Sequence, residues 1–177
     1  AGNMGPAQGL EAVIQAAAIL ASRAPQVQFV FVGGGTEASR LQSLAQRISP
    51  SNVRFLGRKA PSEMNAILAL ADALLVHLKD DPLFSITIPS KTQAYLAVGK
   101  PVLMAVRGDA AALIERAGAG LTCPPGDPRA IAATVLKMAR MPRESLMEMG
   151  AAGRRFYELE LSILQGSRRI ADILATV

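Results

Sequence analysis

Residues 85–105, SITIPSKTQAYLAVGKPVLMA, read in succession as a loop, a helix and a buried strand. Ser90 is a favourable helix N-cap, and Gln93 three residues later completes a capping box. Gly99 is predicted to end the helix, and the apolar residues beyond it predict a strand over 101–106. The stretch is therefore typical of a fold in which helices and strands alternate.

The first turn of this predicted helix carries a lysine, Lys91. The N-terminus of a helix has a partial positive charge, so a lysine there is unfavourable unless an anion binds beside it. The position of Lys91 therefore indicates a site for a phosphate group at the start of the helix.

The same alternation extends through the rest of the chain. Helices are predicted over 9–23, 37–48, 61–70, 90–98, 109–117 and 128–140, with two more within 143–175; strands are predicted over 27–32, 53–56, 73–78, 101–106 and 120–123. Strands and helices that alternate at this spacing predict a parallel sheet covered on both faces. The fold class is a doubly wound α/β domain with extra C-terminal helices, in which ligands bind beyond the carboxyl ends of the strands.

Composition narrows the class of protein. With 177 residues, half of them apolar and 4% aromatic, the chain predicts one domain over 1–177 with an aliphatic core. A net charge of +5 permits an anionic ligand, nucleic acid or a membrane surface as partner, but the few aromatic residues argue against base stacking on single strands. One cysteine and one histidine argue against disulfides, a zinc site and a Cys–His nucleophile. The sequence contains neither a membrane-spanning run nor a signal peptide.

The chain opens with AGNMGPAQG, a glycine-rich loop of the kind that normally follows a strand. Neither a methionine nor a strand precedes it. We therefore expect the sequence to be a fragment whose upstream part is absent.

Glycine-rich and basic segments follow the predicted strands. They are residues 2–9, 33–35, 57–59, Lys79 and 89–91. Main-chain N–H groups and helix N-termini bind phosphate well, and a lysine or arginine completes the charge. Each loop alone is explained by ordinary turn chemistry, but their convergence on one edge of a parallel sheet favours an anion site.

The identity of the anion is narrowed by motifs that are absent. Residues 33–38, GGGTEA, do not match the G-x-G-x-x-G fingerprint of dinucleotide-binding folds, and no acidic residue ends the strand over 53–56. The chain also lacks a Walker lysine motif. A nucleotide-diphospho-sugar fits better, because its diphosphate needs helix N-termini and one or two cations.

The ordered set of motifs resembles the C-terminal half of a GT-B fold glycosyltransferase. The resemblance is to the retaining family 4 type, in particular the bacterial enzymes of surface and extracellular polysaccharide synthesis, including the colanic-acid type. It covers nearly the whole chain and implies a Rossmann-like domain. Its marks are GNMGPAQGL at 2–10, FVGGG at 31–35, VRFLG at 53–57, PSK at 89–91, YLAVGKPV at 95–102, GAG at 118–120 and PPGD at 124–127.

The resemblance implies roles for particular residues. In the family, the first glycine loop approaches the donor diphosphate, the loop that corresponds to the one after Phe55 and Leu56 surrounds the base, and the PSK segment contacts diphosphate and ribose. The implied substrate-binding residues are Gly2, Asn3, Gly5, Gln8, Gly33, Gly34, Gly57, Arg58, Ser90, Lys91 and Thr92. Gln8 stands where the family has a basic residue, so it would offer the phosphate a neutral donor.

The chain departs from the family at its pair of glutamates, which fall at Ile86 and Ala94. Lys91 is the expected substitute, a catalytic cation that stabilises the leaving group electrostatically without a metal or cofactor. Whether the sugar contacts move to Ser85, Thr87 or Gln93 is open at this point.

The resemblance implies a donor-binding half of a retaining glycosyltransferase in polysaccharide biosynthesis. The expected partners are a UDP- or GDP-sugar, the absent N-terminal acceptor lobe and a lipid-linked acceptor, with no nucleic acid. We expect a cytoplasmic protein, peripheral at the inner face of the membrane, and an isolated fragment that binds donor weakly and is inactive. The alternatives are a non-catalytic nucleotide-binding or interaction module and half of a sugar-nucleotide epimerase. Donor base, sugar, acceptor and oligomeric state are not fixed by the sequence.

Three further polar residues attract attention. His77 ends a predicted strand and is more simply a structural histidine than a ligand contact. Asp80 and Asp81 resemble a carboxylate pair, but adjacent acids in a loop are usually solvated.

Overall fold

Helices and strands alternate along the whole domain. The computed structural model describes residues 1–48 and 51–175. The strands are β1 (Gly2–Asn3), β2 (Phe29–Phe31), β3 (Gly33–Gly34), β4 (Val53–Phe55), β5 (Leu74–His77), β6 (Val102–Ala105) and β7 (Gly120–Thr122). The helices are α1 (Glu11–Leu20), α2 (Ala38–Ile48), α3 (Pro61–Ala69), α4 (Pro82–Ser85), α5 (Ser90–Val98), α6 (Asp109–Ala117), α7 (Pro128–Ala139), α8 (Arg143–Phe156) and α9 (Ile163–Ala175). A 3₁₀ turn covers Pro6–Gln8, and a π-helical turn, Tyr157–Leu161, joins α8 to α9.

The strands pair in parallel, as the sequence predicts. β1 pairs with β3, β2 pairs with β4, and β5, β6 and β7 form a three-stranded group in that order. Phe31 and Phe55 are register partners in β2 and β4, and their rings stack with centroids 4.9 Å apart. The predicted α/β class is confirmed, with the strands of the described residues in three separately hydrogen-bonded groups.

Side chains of β6 point alternately into two apolar cores. Leu103 and Ala105 belong to the core formed with α1, α2 and α7, whereas Val102 and Met104 belong to the core formed with α3, α5 and α6. All four side chains are buried. Burial of each larger aliphatic side chain contributes about 1.5–3 kcal/mol, so the sheet is held from both faces.

Two helix stops match their predictions. Gly99 and Gly118 end α5 and α6 in the left-handed conformation, with φ of 75° and 59°. The helix predicted from residue 9 instead begins at Glu11, because Gly9, with φ of 54°, ends the 3₁₀ turn. The short helix α4 was not predicted from the sequence.

The C-terminal helices pack unequally. α8 lies close to the end of α5, where a Cβ at Gly150 would come within 2.2 Å of the Gly99 carbonyl oxygen. By contrast, α9 leaves its large apolar side chains exposed, with Ile163 85% and Leu174 70% accessible. Within residues 1–48 and 51–175, no helix is both long enough and apolar enough to cross a membrane.

Candidate functional site

Three glycine-containing loops meet at the carboxyl edge of the strands. β1 (Gly2–Asn3) runs beside β3 (Gly33–Gly34), and the N–H of Gly33 donates to the Gly57 carbonyl at 2.7 Å. The N–H of Met4 donates to the Gly34 carbonyl at 2.9 Å. The loops that the sequence places at one edge are therefore in direct contact.

Glycine at position 33 is required by this contact. Gly33 has φ of 132°, and a Cβ there would lie 2.0 Å from the Gly2 carbonyl oxygen. Both the backbone conformation and the space exclude a side chain. The close pairing of the first two loops therefore depends on Gly33.

The Arg58 side chain lies across the second loop. A Cβ at Gly34 would come within 2.9 Å of Nε of Arg58. Arg58 is exposed, and among the residues described here it forms no ion pair. Beside it, Gly57 has φ of 67° and open space around its α-carbon. This corner can accept a planar group next to a guanidinium.

The side-chain oxygen of Gln8 accepts hydrogen bonds from its own loop. Its Oε1 accepts hydrogen bonds from the Gly5 N–H at 2.9 Å and from Nδ2 of Asn3 at 3.4 Å. These bonds bring three predicted ligand residues, Asn3, Gly5 and Gln8, into one closed turn. In the described part of the chain, Nε2 of Gln8 has no hydrogen-bond partner and can donate to a ligand.

Lys91 lies beside the first loop. Its Nζ is 3.9 Å from the position that a Cβ would occupy on Gly2. Lys91 is half-buried, and burial lowers the pKa of its ammonium group. No carboxylate in the described part of the chain pairs with it. A half-buried cation without a counterion is unfavourable, so the position favours an anion.

The N-terminus of α5 is open, and here the capping-box prediction is wrong. Pro89 is the N-cap, so Ser90 lies inside the first turn, and no side chain caps the helix. Thr92 N–H donates to the Pro89 carbonyl at 2.8 Å. Within the described residues, the N–H groups of Ser90 and Lys91 have no acceptor. Together with Lys91 Nζ they form a cationic, donor-rich helix end.

Thr92 lies behind this surface. It is fully buried, and its Oγ1 has no hydrogen-bond partner among the described residues. From this position the hydroxyl cannot reach a ligand at the helix end. The contact predicted for Thr92 thus requires its side chain to move.

The sequence did not identify Tyr95 as part of the site. Tyr95 follows Lys91 by one helical turn, and its buried Oη lies 2.8 Å from the main-chain nitrogen of Ala1. Burial raises the pKa of Tyr95 to about 12. The i, i+4 spacing was the available signal, because it places Tyr95 and Lys91 on the same side of α5.

His77 holds two loops together. Its Nδ1 lies 2.7 Å from the Gln8 carbonyl oxygen, and its Nε2 accepts the N–H of Gly126 at 3.0 Å. The side chain is buried, and burial lowers its pKa. These contacts agree with the expected structural role, although the sequence could not name the partners.

Each of the two adjacent carboxylates has a partner of its own. Asp80 forms an ion pair with Arg107 at 3.1 Å, and Asp81 caps α4 by accepting from Leu83 N–H at 2.9 Å. They therefore do not act as a carboxylate pair at the edge of the sheet. Asp81 is 2 residues from Leu83, so the cap is purely local.

No carboxylate replaces the two glutamates of the family at their own positions. Ile86 and Ala94 are both exposed. Of the proposed substitutes, Ser85 donates its hydroxyl to the Pro82 carbonyl and Thr87 donates to the Leu83 carbonyl, each at 2.7 Å. Gln93 is exposed, and its amide has no partner in the described part of the chain.

The glycine loops lie apart from two clefts of the domain. Two clefts of about 380 and 460 Å³ lie elsewhere, beside α1 and α7. They are lined by residues such as Ile19 and Arg129, and none of the glycine-loop residues contributes to them. Among the residues described, no group of three His, Cys, Asp or Glu side chains is placed to bind a metal.

Comparison with known proteins agrees with this arrangement. The family model described as "Glycosyl transferases group 1" matches residues 1–141. The probable glycosyltransferase WbjE of Pseudomonas aeruginosa is 30% identical over 147 residues, which cover 82% of this chain and 36% of that protein. The putative colanic acid biosynthesis glycosyltransferase WcaI of Escherichia coli is 37% identical over 98 residues, covering 55% and 23%. The chain thus spans less than half the length of these relatives.

Solved structures share the fold. Anabaena HepE, crystallised with UDP, superposes with a TM-score of 0.83 at 20% identity, covering 99% of this chain and 48% of that one. The C-terminal domain of the group 1 glycosyltransferase LpcC from Francisella tularensis has a TM-score of 0.74 at 17% identity, covering 92% and 84%. The predicted resemblance to the C-terminal, Rossmann-like half of a GT-B enzyme is confirmed. This chain belongs to the group 1 glycosyltransferase family.

Proposed function

We propose that the chain binds the nucleotide-diphospho-sugar donor of a retaining glycosyltransferase in polysaccharide synthesis. HepE has been crystallised with UDP and with UDP-glucose, and WcaI is named for colanic acid synthesis. Another relative is named as a GDP-mannose-dependent mannosyltransferase, 29% identical over 172 residues. Both bases therefore occur among proteins of this kind, and the donor is a UDP- or GDP-sugar.

One observation carries the proposal. Lys91 is half-buried beside Gly2, at a helix N-terminus whose first two N–H groups have no acceptor in the described residues. A diphosphate at this point would neutralise the ammonium and receive hydrogen bonds from the helix end. No internal carboxylate among those residues serves that purpose.

The surrounding loops bind the remaining diphosphate oxygens and the base of the donor. The side chains of the first loop face the diphosphate, as do β3 and Ser90. The N–H groups of Gly2, Gly5 and Gln8 already donate within the protein, so the first loop contributes side chains and close approach. Arg58 contacts the base, and the open space beside Gly57 accommodates it. The residues assigned to donor binding are Gly2, Asn3, Gly5, Gln8, Gly33, Gly34, Gly57, Arg58, Ser90 and Lys91, with Thr92 behind them.

The proposed mechanism is electrostatic. In sugar transfer, the bond between the anomeric carbon and the phosphate oxygen breaks, and its electron pair stays on the departing diphosphate. The anomeric carbon forms a new bond to the acceptor hydroxyl oxygen, whose proton passes to the departing diphosphate. Lys91 and the N-terminus of α5 stabilise that developing charge more strongly than the charge of the ground state. The anomeric configuration is retained, and the acceptor is bound by a part of the protein outside this chain.

Calorimetric titration tests the binding step. Wild type is titrated with UDP-glucose and GDP-mannose, alongside Lys91→Ala and a control, Lys137→Ala, on the distant end of α7. A hydrogen bond to a charged group contributes roughly 1.5–3 kcal/mol, so Lys91→Ala should weaken binding about tenfold or more. The control should bind as wild type does. Equal affinity of Lys91→Ala and wild type would contradict the assignment.

The two alternatives predict different outcomes. An interaction module binds neither nucleotide sugar. Half of an epimerase would convert a bound nucleotide sugar to its epimer without an acceptor once its other lobe is present. We expect no transfer by the isolated chain, and transfer by it would contradict the proposed division between donor and acceptor lobes.

We also propose a cytoplasmic location, peripheral at the inner face of the membrane, with a lipid-linked acceptor. The relatives named for colanic acid and amylovoran biosynthesis support this placement. Cell fractionation tests it: the protein should divide between cytosol and washed inner membrane, and recovery only in the periplasm would refute it.

A further inference from the structure

His77 joins two segments that are distant in sequence. It ends β5 and is 2% exposed. The Gly126 N–H can only donate, so Nε2 must accept, and the proton of a neutral ring must be on Nδ1, where it donates to the Gln8 carbonyl. One neutral tautomer therefore satisfies both contacts.

The first glycine loop rests directly on this histidine. Gln8 is the last residue of the 3₁₀ turn in that loop, and a Cβ at Gly9 would lie 3.1 Å from Cε1 of His77. The next contact along the strand, from Lys79 N–H to the Ala7 carbonyl at 2.9 Å, fixes the same turn. The C-terminal end of the loop is therefore hydrogen-bonded to β5 and to the residues that follow it.

We propose that His77 is a positioning residue for donor binding: its neutral form holds the first glycine loop in place, and protonation of His77 weakens donor binding. The inference rests on the proposed function. His77 does not touch the donor, because its ring is enclosed by the loop that it supports.

Protonation disrupts one of the two contacts. A second proton on Nε2 would face the Gly126 N–H, so two donors would oppose each other and a charge would be buried. The titratable groups nearby are Lys79 after β5, Asp127 beside Gly126 and Cys123 after β7. Asp127 is occupied as the cap of α7, where Oδ1 accepts two main-chain N–H groups. In the described residues, none of these groups forms an ion pair with His77.

Thermodynamic linkage predicts the direction in which donor binding changes the pKa of His77. If donor binding requires the loop that neutral His77 supports, then bound donor must lower the pKa of His77. A histidine that contacted the anionic donor would behave in the opposite way, because the diphosphate would raise its pKa. A histidine that only stabilises the fold would have the same pKa with and without donor.

The experiment follows the imidazole resonances of His77 by NMR, since the chain has one histidine. The pH is varied from about 5 to 8, with and without saturating UDP-glucose, or GDP-mannose where UDP-glucose does not bind. One extra residue is joined to Ala1 in the sample for this titration, so that no α-amino group titrates beside Lys91. Typical couplings are about fivefold or more, so the donor should lower the pKa by about 0.7 or more. An unchanged or raised pKa overturns the inference.

Two variants provide an independent measurement. His77→Gln keeps one donor and one acceptor but cannot be protonated in this range, whereas His77→Leu keeps neither. Wild type should lose donor affinity between about pH 8 and pH 5.5. The loss approaches the full coupling of about fivefold only below the pKa values of His77 in both the free and the bound protein. His77→Gln should lose no more than twofold, and His77→Leu should bind weakly at both pH values. Wild type and His77→Gln with the same pH profile would overturn the inference.

Failure of the proposed function has a separate signature. If wild type binds neither nucleotide sugar at about pH 8, both the proposed function and this inference fail. If it binds and the pKa of His77 does not respond, only this inference fails. Should His77→Gln not fold, the titration of wild type still decides.

Discussion

Nζ of Lys91 lies 3.9 Å from the point where a Cβ would stand on Gly2. The two residues are far apart in sequence, yet together they form the contact between α5 and the first glycine loop. Gly2 has φ of 107°, which favours glycine, and the absence of a side chain leaves the ammonium accessible from the edge of the sheet.

If the ammonium group of Lys91 binds the diphosphate, the pH dependence of donor affinity should show its titration. Burial lowers the pKa of the free ammonium below its usual 10.5, and a bound diphosphate favours the protonated form. Above the pH range in which His77 titrates, donor affinity should therefore be constant, and it should fall as pH rises through the lowered pKa of Lys91 in the free protein. Calorimetry at alkaline pH checks this decline.

Lys91→Arg is the control for that measurement, because a guanidinium stays protonated. Its affinity should remain constant over the range in which wild type declines. The same decline in both proteins would assign the titration to another group.

Substitution of Gly34 should displace Arg58. A Cβ at Gly34 would lie 2.9 Å from Nε of Arg58, so Gly34→Ala should weaken donor binding through the arginine. In a double-mutant cycle, Gly34→Ala should cause little further loss of donor affinity once Arg58→Ala is present, because the effects of substituting two residues in contact are not additive. Calorimetry of the four proteins measures the coupling, and simple additivity would show that the two residues act independently.

Gly33→Ala should destabilise the protein. The alanine would occupy φ of 132° and press within 2.0 Å of the Gly2 carbonyl, and a strained backbone conformation costs about 1–3 kcal/mol before any clash. Gly118→Ala is a matched control, because Gly118 has φ of 59° but nothing within 4 Å of its added Cβ. Urea unfolding should give the larger loss for Gly33→Ala; equal losses would show that the loops separate freely.

Thr92→Val should leave stability unchanged or increase it. The buried Oγ1 of Thr92 has no partner in the described residues, and an unsatisfied buried group costs about 1–3 kcal/mol. Thr134→Val is the control, because Thr134 donates to the Ala130 carbonyl at 2.9 Å. Loss of that hydrogen bond should not increase stability. Urea unfolding compares them. A marked loss of donor affinity in Thr92→Val would instead place the hydroxyl at the ligand.

Much of the fold follows from local sequence. α5 and α6 have their predicted bounds because Gly99 and Gly118 end them by left-handed conformations that depend on glycine alone. The capping box failed for an equally local reason. Pro89 has φ of −60° and ψ of 136°, takes the N-cap position and places Ser90 within the helix.

The polar contacts of the site were harder to predict. Tyr95 meets Ala1 across 94 residues of sequence, and His77 meets Gln8 across 69. A sequence pattern gives the side of the helix or strand on which each residue lies. It does not give which atom of a distant loop comes within hydrogen-bond distance.

The sequence by itself determined the alternation of strands and helices, the edge at which the loops gather and the lysine that needs an anion. These depend on hydrophobic period, glycine conformation and helix charge, which act over a few residues. Only the tertiary structure decided that the Thr92 hydroxyl is buried with no partner among the described residues, and that His77 joins the first loop to Gly126. Those outcomes depend on packing and on hydrogen bonds between distant segments, where shifts of about an ångström decide whether a polar group is satisfied.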